Sequence, residues 1–385
     1  MPFEFASAGR LLFGAGTSAQ LHAIAAAFGK RLLFLSGAHF ALQTAPLLDA
    51  LQGRGFEVTP FVVTGEPTID LVRAGVAAGR EAACTAVIAC GGGSVLDTGK
   101  AVAALLANDG DILDYLEVIG GGRALAQPSL PCIVLPTTAG TGTEVTRNAV
   151  ILSPEHRVKV SLRSILLLPR VAIVDPELTY SLPPAPTAAT GLDALTQLIE
   201  PFVSARANAL VDALCRDGIP LIARHLETAY RDGGNAAARE AMSLAACYGG
   251  LALANAGLGA VHGFAGVLGG YTGAPHGAVC ARLLPTVMAV NADALRARRP
   301  DSDRLARYRN IACLLTGRPA ATLADGITFI RELCARLAIP PLSAYGIISA
   351  DFPALITQAA EASSMKANPI TLTPEEMWQV LENSL

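Results

Sequence analysis

Through the first half of the chain, short apolar runs alternate with stretches of helical spacing. Arg31–Ser36, Thr59–Val63, Thr85–Cys90, Ile133–Leu135, Val150–Leu152 and Val171–Val174 are compact and of strand length. Continuous apolar runs of that size suit strands buried on both faces of a parallel sheet. Residues 3–14 predict a short strand or hairpin that turns at Phe13-Gly-Ala-Gly16, and Thr17 or Ser18 is placed to cap a helix over Ala19–Phe28. Further helices are predicted near Ala45–Gly53, over Ile69–Ala83 after the break at Glu66-Pro-Thr68, and from Gly91-Gly-Gly-Ser94 to about Ala107. Strands alternating with helices in this way predict an α/β unit built on a parallel sheet.

The pattern changes at Leu182-Pro-Pro-Ala-Pro186, after which the periodicity is helical to the end. The expected organisation is an α/β domain over residues 1–181 and an all-helical domain over 182–385. Thr373-Pro-Glu-Glu376 predicts a capping box opening a terminal helix over Met377–Leu385. Between Met242 and Ala281 no Asp, Glu, Lys or Arg occurs. That run is long enough to span a membrane, but Asn255, two histidines and many glycines interrupt it. A central helix enclosed by other helices is the better reading.

Composition narrows the class. Apolar residues make up 52% of the 385 and charged residues 16%, which excludes disorder. A formal charge of −3 gives no reason to expect nucleic acid or an anionic membrane as a partner. Eight cysteines are scattered without a C-x-x-C pair, as buried thiols in a reducing compartment would be. With no basic segment followed by an apolar one at the N-terminus, the expectation is a cytoplasmic protein.

Two loops carry candidate chemistry in the first half. Gly91-Gly-Gly-Ser94 leaves a strand and opens a helix, where bare backbone N–H groups can approach an anion such as a pyrophosphate. It fits neither G-x-G-x-x-G, since Leu96 stands at the third glycine, nor the Walker pattern, since Ser94 and Ala101 break it. A tight turn without ligand stays open. Pro136-Thr-Thr-Ala-Gly-Thr-Gly-Thr-Glu144 supplies short hydroxyl donors after another strand. Both loops would lie on the carboxyl edge of a parallel sheet, which is where ligands bind.

In the second half Asp193 and Gln197 share a helix face, and His262 and His276 sit in the uncharged run. A buried ionisable group is costly unless paired or coordinated. One carboxylate and two imidazoles suit zinc, ferrous iron or another borderline divalent ion. The alternative is a satisfied core histidine, a surface histidine and a capping aspartate.

Taken together, Phe13-Gly-Ala-Gly16, Gly91–Lys100, Pro136–Thr146, Gly191-Leu-Asp-Ala-Leu-Thr196 and His262…Pro275-His276-Gly resemble the iron-containing (group III) alcohol dehydrogenases. The resemblance implies a Rossmann-like domain for NAD or NADP and an all-helical domain, the dehydroquinate-synthase-like fold, with metal and substrate in the cleft between. It implies reversible oxidation of a small alcohol to an aldehyde or ketone, and a homodimer or larger homo-oligomer. Carried over, Gly92, Gly93 and Ser94 hold the pyrophosphate, with Asp97 supporting the cofactor nearby. Thr137, Thr138 and Thr141 flank the nicotinamide half, Lys159 reaches the ribose, and Gly37 counts among the cofactor residues. Asp193, His262 and His276 match three of four metal ligands, with Fe2+ or Zn2+ as the ion.

Three departures accompany it. The fourth ligand, a histidine in the family, is Gln197, a weaker donor. A second family histidine is Gly266, so protons would pass through water or a cofactor hydroxyl. Leu35-Ser-Gly-Ala-His39 lacks the aspartate that rejects a 2′-phosphate, so NADP is not repelled and His39 would sit near it. The competing readings are a metal-independent reductase of the maleylacetate type, which Gln197 favours, and a dehydroquinate-synthase-like lyase. The lyase needs a Lys and Arg cluster that this region does not have.

Overall fold

The computed structural model describes residues 2–38, 41–156 and 158–385. His39 and its expected place beside a cofactor phosphate lie outside them. The chain forms two compact units, Ala6–Ser181 and Leu182–Leu385 with residues 1–5.

The first unit is built on a six-stranded parallel sheet. Its strands in chain order are β1 (Leu11–Phe13), β2 (Arg31–Gly37), β3 (Glu57–Val63), β4 (Ala86–Gly91), β5 (Cys132–Pro136) and, after a separate hairpin of β6 (Asn148–Ser153) and β7 (Val158–Arg163), β8 (Val171–Val174). The spatial order is β1-β8-β5-β4-β2-β3. Between them run α1 (Leu21–Ala25), α2 (Ala41–Gln52), α3 (Ile69–Glu81), α4 (Gly93–Ala107) and α5 (Ile112–Tyr115). Leu32, Leu33, Phe34 and Leu35 of β2 are all fully buried. Each contributes roughly 1.5–3 kcal/mol by leaving water, which is why unbroken apolar runs make these central strands. β3 is one of the two edge strands and carries Pro60, whose missing N–H is tolerable at an edge.

The sequence of this unit departs from expectation in two places. Neither Thr17 nor Ser18 caps the first helix. Gly16 holds the N-cap position with no side-chain bond, and the Asp175 carboxylate accepts from the N–H groups of Gly16 and Ser18 instead. The predicted helix over Ala19–Phe28 is a chain of 3-10 turn, α1 and 3-10 turn that stops at Gly29, whose φ is +111°. The run Val150–Leu152 is a strand, but not of the main sheet. It pairs antiparallel with β7, a strand whose Val-Lys-Val-Ser-Leu-Arg sequence alternates as a half-buried hairpin does.

The second unit is helical: α6 (Pro184–Val203), α7 (Ala209–Arg231), α8 (Ala236–Ala256), α9 (Ala260–Thr272), α10 (His276–Arg298), α11 (Asp303–Thr316), α12 (Leu323–Arg336), α13 (Phe352–Glu361) and α14 (Pro374–Glu382). The capping box of Thr373 and Glu376 opens α14 as its sequence predicts. The uncharged run is not one central helix. It is divided among α8, α9 and the start of α10, with a 103° bend between α8 and α9. Gly257, at φ +72°, ends α8 there. α10 has the length and hydropathy of a membrane span, yet 83% of that window is buried inside the fold, as in a core helix.

Candidate functional site

α6, α9 and α10 bring the predicted second-half residues together. Donor atoms of Asp193, His262, His276 and Cys280 all lie within 4.8 Å of one another. Asp193 Oδ1 is 3.3 Å from His262 Nε2 and 3.8 Å from His276 Nε2. Cys280 Sγ is 3.6 Å from His276 Nε2 and 4.0 Å from His262 Nε2. Asp193 and Cys280 are buried, whereas a third of the His276 side chain is exposed.

Glu200 sets the orientation of His262. It lies two turns after Asp193 on α6, and its Oε2 is 2.6 Å from His262 Nδ1. Its Oε1 accepts from the Val261 N–H at 2.7 Å, in the first turn of α9. Asn368 Oδ1 accepts from the neighbouring Ala260 N–H. One carboxylate thus caps the helix and fixes the ring on it. With Nδ1–H given to Glu200, the Nε2 lone pair faces Asp193 Oδ1, on which no donor is aligned. Two acceptors held face to face in a buried site call for a cation, so these residues fit a divalent ion.

Without an ion, a proton on His262 takes the place of one between these atoms. Burial acts to raise Asp193, but His262 and His276 outweigh it and hold the carboxyl below its usual range. Burial acts to lower His262, but Cys280, Asp193 and Glu200 outweigh it and hold the imidazole well above its ordinary value. The Cys280 thiol is pushed up to about 12 by burial.

Gln197 donates through Nε2 to Asp193 Oδ2 at 2.8 Å, and its buried Oε1 has no partner. Gly266 lies beside open space, since a Cβ there would meet nothing within 4 Å. Phe264 and Leu268 are fully buried and Val267 half-buried, giving α9 an apolar, uncharged surround. Glycines allow the helices to close on the site. A Cβ at Gly277 would lie 2.2 Å from Ala189 O on α6, and one at Gly259 would lie 2.8 Å from Glu200 Oε1. The sequence reading did not single out Glu200 or Cys280, although Cys280 stands one helical turn after His276.

In the α/β unit the register places Ser36 beside Cys90 and Gly91 beside Pro136. Gly37, Gly92–Ser94 and Thr137–Thr141 therefore share the carboxyl edge. The strand order reverses between the parallel neighbours β2 and β4, the switch point where open α/β sheets bind ligands. α4 begins at Gly93 with no side-chain cap, so its first N–H groups are available to an anion. The threonine loop lies directly over this turn. A Cβ at Gly93 would come within 2.8 Å of Thr141 Cγ2, and one at Gly92 within 3.4 Å of Thr138 Cγ2. The Thr137 hydroxyl is buried without a partner.

Asp97 and Lys159 each make an ion pair within this unit. Asp97 accepts from the Thr143 hydroxyl and the Val150 N–H, and pairs with the fully buried Lys100 at 3.1 Å. Lys100 also donates to Thr143 O at 2.9 Å and to the Thr146 hydroxyl. The pair braces the threonine loop against α4, a role the sequence alone did not suggest. Lys159 pairs with Glu66 at 3.0 Å.

Comparison with known proteins agrees with this arrangement. Residues 8–176 match the family described as iron-containing alcohol dehydrogenase, and residues 187–385 match the C-terminal domain of the same family. The chain is 36% identical over 345 residues to 4-hydroxybutyrate dehydrogenase of Cupriavidus necator, covering 88% of this chain and 87% of that one. The crystal structure of a 1,3-propanediol oxidoreductase superposes with a TM-score of 0.91 at 32% identity, covering 100% of both chains. Sulfoacetaldehyde reductase of Bifidobacterium kashiwanohense, solved in complex with NAD+, superposes with a TM-score of 0.86 at 29% identity, covering 100% of this chain and 99% of that one. The protein belongs to the iron-containing alcohol dehydrogenase family, oxidoreductases that use NAD(P) and a divalent metal.

Proposed function

We propose that the chain is a metal-dependent dehydrogenase that interconverts a small primary alcohol and its aldehyde in the cytoplasm, acting as a homodimer or larger homo-oligomer. The observation that carries this reading is the buried cluster of Asp193, His262 and His276, whose donor atoms converge on one point. A divalent ion held there supplies a Lewis acid for the substrate oxygen, and NAD(P) supplies or takes the hydride.

The protein's own contribution is placement. Glu200 keeps the His262 lone pair turned toward the centre. Gln197 steadies the Asp193 carboxylate through its second oxygen. The buried side chains of Phe264 and Leu268 keep water from the apolar side. Gly92, Gly93 and the amide end of α4 hold the pyrophosphate, and Thr137, Thr138 and Thr141 lie on the same edge for the nicotinamide half. Gly266 offers no imidazole for proton exchange, so the alcohol proton leaves through solvent or a ribose hydroxyl. No carboxylate stands among Leu35–Ala38 to repel a 2′-phosphate, so nothing in that segment discriminates against NADP.

Relatives named for 4-hydroxybutyrate and 1,3-propanediol support a short substrate with a terminal hydroxyl. Gln197 keeps one rival in view, a reductase of the maleylacetate type that works without metal. Metal analysis of the purified protein, joined to NADH and NADPH reduction assays on short aldehydes, tests the reading. Stoichiometric divalent metal and turnover that disappears in His262→Ala and His276→Ala are expected. Full reduction by a metal-free protein would overturn it in favour of the rival.

A further inference from the structure

We propose that Cys280 is the fourth protein donor of this centre. The ion would then be held by one carboxylate, two imidazoles and a thiolate, with zinc preferred over ferrous iron. This rests on the metal reading above and adds to it a ligand set and an ion.

Separation is the first argument. A tetrahedral ion with bonds of about 2.0–2.1 Å to oxygen and nitrogen and about 2.3 Å to sulfur holds its ligand atoms about 3.3–3.6 Å apart. The four distances among Asp193 Oδ1, His262 Nε2, His276 Nε2 and Cys280 Sγ given above run from 3.3 to 4.0 Å. The side chains are therefore close to the spacing such an ion needs. The sulfur is fully buried and belongs to this set as much as either imidazole does.

Gln197 is less suited to the fourth place. Its amide N–H is given to Asp193 Oδ2, and an N–H cannot ligate. Its oxygen lies beside α8, since a Cβ at Gly249 would be 3.5 Å from it.

Charge is compatible with it. Asp193 in the set and Glu200 behind His262 are the nearby carboxylates, and a divalent ion beside the sulfur offsets the cost of burying a thiolate there. Ligation breaks the S–H bond, forms the metal–sulfur bond and releases one proton to solvent, with no change of oxidation state. A thiolate among nitrogen donors selects zinc or another soft ion over iron.

The test uses the full chain, stripped with a chelator and reloaded with cobalt(II), whose thiolate complexes absorb in the near ultraviolet by charge transfer. The wild type is expected to show that absorption, and Cys280→Ser, which nearly preserves volume, to lose it. Competition with a chromophoric chelator should show zinc bound at least 10-fold more weakly by the serine variant. Gln197→Ala should keep the absorption. Cobalt bound by the wild type without a thiolate band overturns this proposal and leaves the metal reading intact. A Gln197→Ala protein that loses the ion while Cys280→Ser retains it also overturns it. Failure of the wild type to bind any divalent ion overturns both readings together.

Discussion

Replacing Glu200 by glutamine changes no volume but removes one acceptor from a residue that uses two. In the native arrangement Oε2 takes the His262 Nδ1 proton at 2.6 Å and Oε1 takes the Val261 N–H at 2.7 Å. A carboxamide has one acceptor oxygen, and its NH2 must face one of two donors. If the oxygen stays on Val261, the ring accepts from the amide through Nδ1, and its remaining proton moves to Nε2, the atom turned to the centre. If the oxygen goes to His262, the first turn of α9 loses its cap and opposes two N–H groups. Either way a charge-assisted bond worth about 1.5–3 kcal/mol is lost. Outer-shell partners of liganding histidines typically carry 10–100-fold of metal affinity, which is about 1.4–2.7 kcal/mol and agrees with that loss. Zinc affinity of Glu200→Gln, measured by chelator competition, should therefore fall 10–100-fold, and turnover at limiting metal should fall with it. Zinc affinity within twofold of wild type would refute the idea that Glu200 directs the His262 lone pair.

Three further outcomes follow from the geometry. Gly93→Val forces a side chain against Thr141, 2.8 Å from where its Cβ would stand. It should raise the KM for NAD(P)H at least 10-fold, about 1.4 kcal/mol, while metal content stays unchanged; loss of metal instead would contradict the separate placement of the two sites. Glu144 is buried, and desolvation pushes its carboxyl up to about 7 despite its own backbone N–H and Lys100. Because the folded value lies above the unfolded one, its contribution is complete below pH 4.5 and is lost as pH rises through 7, a change of about 3 kcal/mol. Urea unfolding at pH 5 and pH 8 should show Glu144→Gln gaining about 2–3 kcal/mol on wild type over that interval, and a constant difference would refute it. Chelation should lower the Tm of the wild type, since an ion at a hundredfold excess over its Kd contributes about 2.7 kcal/mol, and leave His276→Ala nearly unmoved.

Much of the architecture was legible because local pattern and tertiary burial agree. β2, β4 and β5 are unbroken apolar runs because both faces are covered, and the capping box of α14 is a local device that needs no partner. Failures fall where distant residues decide. Asp175 caps the first turn from 157 positions away, a relation no window of sequence contains. β7 has a half-polar pattern because its hairpin is covered on one side only. At the candidate centre, Asp193, His262 and His276 could be named because charged types are rare in that region. Cys280 was passed over because a cysteine in an apolar helix reads as a small hydrophobe, and only the fold places it against the histidines. Asp97 lies next to a glycine turn, and the fold pairs it with Lys100 in a brace that no local pattern announces.

Gly277 gives the centre an unequal tolerance to change. α10 touches α6 where a single added carbon would collide with a main-chain oxygen at 2.2 Å. His276 precedes that contact and Cys280 follows it within one turn, so the separation of the two helices sets the reach of both. Side chains around the ion can be traded, amide for imidazole or sulfur for nitrogen, and the fold will retune its preferred metal without rearrangement. The interhelical gap has no such latitude. A lineage carrying this frame could therefore drift among metals by exchanging one donor type for another, while Gly277, a residue with no functional group at all, would stay fixed by the backbone it touches.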